Sequence, residues 1–262
     1  MYYLFDHTFP GLLCCVFESF ERKEFEITPV LEEEFQPDFF SHTRKIVTVP
    51  EKAGRVQQAL LQKVGRQTAL DFFKIFLSED REAWRALFSI IQYVFRYSPE
   101  IWQNYGHPDV LYLVQTLKKV NRERHRMKAF VRFHKSRDGL YVASIEPDFN
   151  VLPLISDFFR KRYADQHWLI YDVKRGYGLL YDQCQVTEVH LMEEEHAANR
   201  RRTSVGDTRA LEIPLDDRDR DFQRLWKQYY SSTNIESRRN LRLHLRHVPK
   251  RYWKYLTEKE YG

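Results

Sequence analysis

"HRMKAFVRFHKSRDGLYVASIEP", residues 125–147, is where the chain changes its period. Upstream the apolar residues recur every three or four positions. Here Met127, Ala129, Val131 and Phe133 alternate with Arg126, Lys128, Phe130, Arg132 and His134. Alternation at period two predicts a strand with one face on a core. "SRDG" supplies a turn and "LYVASIEP" a return strand, so a β-hairpin is expected.

On the N-terminal side, Glu51 to about Arg124 has a helical pattern. "SEDREAWRALFSIIQYVFRYSPEI", residues 78–101, places Trp84, Leu87, Phe88, Ile91 and Val94 on one stripe, with Ser78 as the expected cap and an end before Pro99. "HPDVLYLVQTLKKVNRERHR" repeats the pattern with Leu113, Val114, Leu117 and Val120. The chain opens with a short strand, "YYLF", and then a helix with Thr8 as N-cap and Pro10 in the first turn. "FEITP" and "RKIVTVP" read as short strands around an acidic "LEEEF" turn. C-terminal to the hairpin a helix is expected from about Val151 to Tyr163, followed by strands in "HWLIYDV", "YGLLYD" and "QVTEVHL". Helices gathered around a small antiparallel or mixed sheet make the fold class α+β. Residues 1–192 form the expected core domain, 193–210 a charged surface loop or linker, and 211–262 a C-terminal helical segment packed on the core.

Composition excludes several classes. The 262 residues carry a net charge of +5, with 9 Gly, 3 Cys, 19 Phe and 16 Tyr. So few glycines argue against a phosphate-cradling nucleotide fold, and "RGYGLL" lacks the third glycine of a dinucleotide loop. Cys14, Cys15 and Cys184 make neither a disulfide framework nor a C-x-x-C site. No run approaches the roughly 18 apolar residues of a membrane span. The opening residues show no secretory leader, and the expected setting is the cytoplasm, with no membrane partner. His190, Glu193 to Glu195 and His196 match no metal-ligand spacing, so no metal is assigned there.

Three constellations carry chemistry. In "IEPDFNVLP", Glu146 and Asp148 flank Pro147 at a strand end, and Asp172 closes a later strand. Paired carboxylates on one rim suit a divalent metal or acid–base work; the alternative is a turned strand end with Asp148 or Asn150 capping the next helix. The second is the face of Arg126, Lys128, Phe130 and Arg132, either a phosphate-tracking surface with an aromatic platform or a second packed face with snorkelling cations. The third is "RRNLRLHLRHVPKRYWKYL", residues 238–256, with seven Arg or Lys and no Asp or Glu. On a helix, Leu241, Leu245 and Val248 form one stripe and Arg238, Arg239, Arg242 and Arg246 an adjacent one. Pro249 ends it, and Lys250, Arg251 and Lys254 then surround Tyr252 and Trp253. This segment is either a nucleic-acid-binding edge, with Tyr252 among its contacts, or a tail pinned to the core by its rings.

Four stretches together carry a resemblance: "GLLCCVFESFERKE", "RHRMKAFVRFHK…GLYVASIEPDFNVLPLISDFFRKRYADQHWLIYD", "LWKQYYSSTNI" and "VPKRYWKYLTE". They resemble a DNA-metabolism protein family whose domain is found fused behind uracil-DNA-glycosylase-like domains, or encoded beside a radical SAM DNA repair protein. The resemblance implies a DNA repair setting and assigns no catalytic residue. No radical SAM C-x-x-x-C-x-x-C motif occurs in this chain, so no cofactor is expected here; an iron–sulfur cluster or SAM would belong to the partner. The expected function is an accessory that binds single-stranded or damaged DNA beside a radical SAM or uracil-DNA-glycosylase-like partner. Two alternatives stand beside it: a metal-dependent enzyme acting on DNA or a damaged nucleotide, and a protein-interaction subunit without DNA contact.

Overall fold

The computed structural model describes residues 1–36, 42–190, 216, 219, 224, 225 and 248–257. The linker expected at 193–210 and the basic helix expected at 238–248 lie outside these residues, except for Val248. The chain divides into two compact units, Met1–Arg122 and Glu123–Gly262.

The first unit opens with β1 (Tyr2–Phe5), α1 (Phe9–Glu21), β2 (Thr28–Leu31) and β3 (Thr43–Lys45). The strands form a parallel sheet in the order β2-β1-β3. Thr8 caps α1 as expected, its hydroxyl accepting the Gly11 amide at 2.9 Å. The acidic "EEE" run is a single 3-10 turn, Glu32–Glu34. Helix α2 (Pro50–Phe76) is interrupted at Gly65, whose φ of 76° a side chain would resist. Helix α3 (Arg81–Arg96) buries Trp84, Leu87, Phe88, Ile91 and Val94, the stripe read from sequence. Its cap is not Ser78 but Asp80, which accepts the Glu82 amide at 3.0 Å, while Ser78 Oγ accepts the Asp80 amide at 3.3 Å. A carboxylate two residues on outcompetes the hydroxyl because the first-turn amides favour a full negative charge.

Glu18 on α1 gives this unit a pH signature. Its largely buried carboxylate takes Lys52 Nζ at 2.6 Å and Arg22 Nε at 2.9 Å. Burial alone would raise its pKa, but these two hydrogen bonds outweigh that and hold it below the usual 4.5. A lowered carboxyl contributes stability above the unfolded value and loses it as pH falls through the folded one. A Glu18→Gln variant is therefore expected to have a lower urea midpoint than wild type at pH 7. The two midpoints should converge as the pH is taken below 4.5. A gap that persists unchanged into acid would show that the loss is not ionic.

Helix α4 (Pro108–Phe130) contains the unit boundary. It corrects the sequence expectation at residues 126–130, which are helical and not a strand. The buried positions Val110, Leu113, Thr116, Val120, Glu123 and Met127 recur every three or four residues. That stripe carries the helical period through the stretch, and Met, Lys, Ala and Arg are good helix formers. The alternation at Met127, Ala129, Val131 and Phe133 is coincidental, and Ala129 is exposed. The hairpin itself exists in shortened form, with β4 (His134–Lys135) antiparallel to β5 (Tyr141–Ile145).

The second unit is a mixed sheet in the order β4-β5-β6-β7-β8, completed by β6 (Trp168–Asp172), β7 (Tyr177–Tyr181) and β8 (Val186–His190). Only β5 and β6 run parallel, because α5 (Leu152–Arg162) carries the chain back between them. Phe133 and Phe159 pack edge-on at 5.7 Å, and both rings approach Trp168 at 6.4 Å. Every residue of β6 is buried. Its neighbour β7 approaches so closely that a Cβ on Gly178 would lie 2.9 Å from the Ile170 carbonyl, which explains glycine inside a strand.

Candidate functional site

Because β5 and β6 are parallel, the segments leaving them emerge at one edge of the sheet, where open α/β sheets hold ligands. The segment after β5 brings Glu146, Pro147 and Asp148; the turn after β6 brings Lys174. The 3-10 segment Lys250–Tyr255 completes the edge with Lys250, Arg251 and Lys254. These seven residues line a cleft of about 400 Å³. Four cations thus face two carboxylates. Lys254 Nζ lies 2.5 Å from Glu146, which also accepts the Tyr255 hydroxyl at 2.8 Å. Arg251 Nη1 lies 2.5 Å from Asp148. The loop is fastened from below by Arg175, whose guanidinium donates to the carbonyls of Pro147 and Asp148, both at 3.1 Å. Tyr177 donates its hydroxyl to Asn150 at 2.5 Å. Asn150 is thus engaged by a strand residue, and α5 begins without a side-chain cap from Asp148 or Asn150.

Beneath the cleft lies a residue that the sequence reading passed over. Glu123 of α4 is 2% exposed at its side chain. It accepts the Asp148 amide at 3.0 Å, Arg251 Nη2 at 3.1 Å and the Tyr252 hydroxyl, with Arg126 Nη1 at 3.8 Å. A carboxylate this deep requires such a set of donors. The signal in the sequence was its position: Glu123 falls three after Val120 and four before Met127, on the buried stripe of an amphipathic helix.

The expected site residues separate into two groups. Lys250, Arg251 and Lys254 converge with Glu146 and Asp148 on the cleft. Tyr252 does not present a ring there; it is buried, and burial beside the Glu123 carboxylate pushes its phenol pKa up, so it stays a proton donor. The strand-face set is dispersed by the helix. Arg126 turns to Glu123, Lys128 lies 5.0 Å from the Phe158 ring, and Phe130 packs on Tyr252 at 5.3 Å. Arg132 donates to the Ala129 carbonyl at 2.7 Å near the end of α4. Arg238, Arg239, Arg242 and Arg246 lie outside the described residues.

The three carboxylates singled out for metal chemistry each have a cation of their own. Asp172 is fully buried against Arg175 at 2.8 Å. Burial pushes its carboxyl up, while the guanidinium and the Lys174 and Arg175 amides draw it back. Among the described residues no three His, Cys, Asp or Glu side chains are grouped to hold a metal ion. No described helix is long and apolar enough to cross a membrane.

No curated protein matches this chain. A family model, described as a domain of unknown function, matches residues 81–258. The match takes in α3, α4, the whole five-stranded sheet and the cleft. It covers more than half of the sequence, and the chain belongs to the DUF4130 family.

Proposed function

We propose that the protein is a DNA repair or DNA metabolism accessory that binds nucleic acid along the cationic rim of the β5–β6 cleft. The observation that carries this is the rim itself: Lys174, Lys250, Arg251 and Lys254 surround two carboxylates, each of which a cation already meets. The surplus positive charge faces solvent, where it suits phosphates spaced along a strand. In sequence, Arg238, Arg239, Arg242 and Arg246 lead directly into this rim. The repair setting, and the radical SAM or uracil-DNA-glycosylase-like partner, rest on the sequence resemblance.

The test is fluorescence anisotropy with a labelled single-stranded oligonucleotide. With about four phosphate contacts, affinity should fall roughly 50-fold between about 50 and 200 mM salt. Replacing the exposed Lys174 and Lys250 together by Glu should weaken binding about 100-fold at low salt. Wild-type protein that does not bind at low salt, or a double variant that binds equally well, would overturn the proposal.

A further inference from the structure

Arg251 is held in two unequal halves. Nη2 is anchored: it donates to buried Glu123 and to the Tyr252 hydroxyl, and the guanidinium lies 4.6 Å over the Tyr252 ring. Nη1 is presented: it points into the cleft, where the only group met among its described contacts is Asp148 at 2.5 Å. Glu123 is 2% exposed, whereas Asp148 is 47% exposed. An exposed ion pair exchanges with solvent at little cost, while a buried one does not. Removing Asp148 would leave Arg251 aimed by Glu123 and Tyr252, with its outer nitrogen open to another oxyanion. A planar guanidinium with one edge fixed is well suited to a phosphate oxygen.

We propose that Asp148 is a built-in competitor for a phosphate site on Arg251: its carboxylate holds the guanidinium nitrogen that a phosphodiester oxygen of the bound strand takes over. This rests on the cleft being the nucleic-acid site. Lys174 and Lys250 line the same cleft and stabilise the incoming phosphate, while the departing carboxylate swings to solvent. Binding is therefore an exchange of one anion for another. The protein gives up part of its affinity for any weak anion in favour of a polyanion that brings several phosphates at once.

The same oligonucleotide assay tests this with Asp148→Asn. The variant should bind about three- to tenfold tighter at low salt, with a salt slope close to that of wild type, because Arg251 meets the same phosphate in both. Asp157→Asn removes an equal charge from α5, where Asp157 pairs with Arg160 and Lys161, and should change affinity less than about twofold. In an Arg251→Gln background the gain from Asp148→Asn should vanish, as a double-mutant cycle requires of a shared partner. If wild type binds but Asp148→Asn binds no tighter, or only as much tighter as Asp157→Asn, the competitor is refuted and the nucleic-acid site stands. If neither wild type nor Asp148→Asn binds, both fall. Binding that appears only in Asp148→Asn would show a carboxylate that blocks Arg251 and is not exchanged, and would overturn both readings for the native protein.

Discussion

Replacing Glu123 by Ala is expected to lower the unfolding free energy by about 3 kcal/mol or more, seen as a lower urea midpoint with an unchanged slope. The carboxylate accepts from the Asp148 amide, Arg251 and Tyr252 at once. Its loss strands a buried tyrosine hydroxyl and the inner edge of a guanidinium, and each orphaned group costs about 1–3 kcal/mol. Arg251 is partly exposed and can recover some hydration, which keeps the effect below the full sum. Glu123→Gln retains one acceptor oxygen and should cost less, about 1–2 kcal/mol. The same substitution should loosen Arg251 and so weaken the nucleic-acid binding proposed for this cleft, even where the protein remains folded. A midpoint within about 0.5 kcal/mol of wild type for Glu123→Ala would mean that the donors find other partners.

The second large effect belongs to the first unit. Trp84→Ala should cost about 3–5 kcal/mol by urea or thermal unfolding. The indole is 2% exposed and stacks on Phe76 at 4.7 Å with only 10° between the planes. Phe5 meets it edge-on at 5.8 Å, and Nε1 donates to the Phe76 carbonyl at 2.7 Å. Removing it opens a cavity among rings that cannot collapse together and leaves a carbonyl at the end of α2 without its donor. Trp84→Phe keeps most of the volume but not the donor, and should cost roughly half as much. A loss below about 1.5 kcal/mol for Trp84→Ala would show that α1 and α2 close over the gap.

Much of this was legible in the residues because it is local. Thr8 and Pro10 start α1, the Trp84 to Val94 stripe builds α3, and "HWLIYDV" and "YGLLY" become β6 and β7. The period change was placed several residues too early, since Met127, Ala129, Val131 and Phe133 fit two periods at once. Only burial of Glu123 and Met127 on one stripe decides between them. The existence of two sheets, the first wholly parallel, was not legible, because strand pairing is set by distant partners and by which helix crosses between them. The same holds for the cleft. Glu146 with Asp148, and Lys250 with Arg251 and Lys254, stood out separately by composition. Their meeting depends on β5 and β6 being parallel neighbours. Glu123 was lost in the run "RERHR", where one acid among bases reads as a solvated charge.

The two halves of the cleft are far apart along the chain: Lys254 lies 108 residues after Glu146, and Arg251 lies 128 after Glu123. At translation speeds of about 5–20 residues per second, the acidic half leaves the ribosome about 5–25 s before the basic half exists. Through that interval Glu123 has neither Arg251 nor Tyr252, and a carboxylate so placed must stay hydrated. The lower end of α4 therefore cannot take its final packing until Arg251 and Tyr252 arrive. Closure over such sequence separations is slow, which makes completion of the cleft a late event in folding.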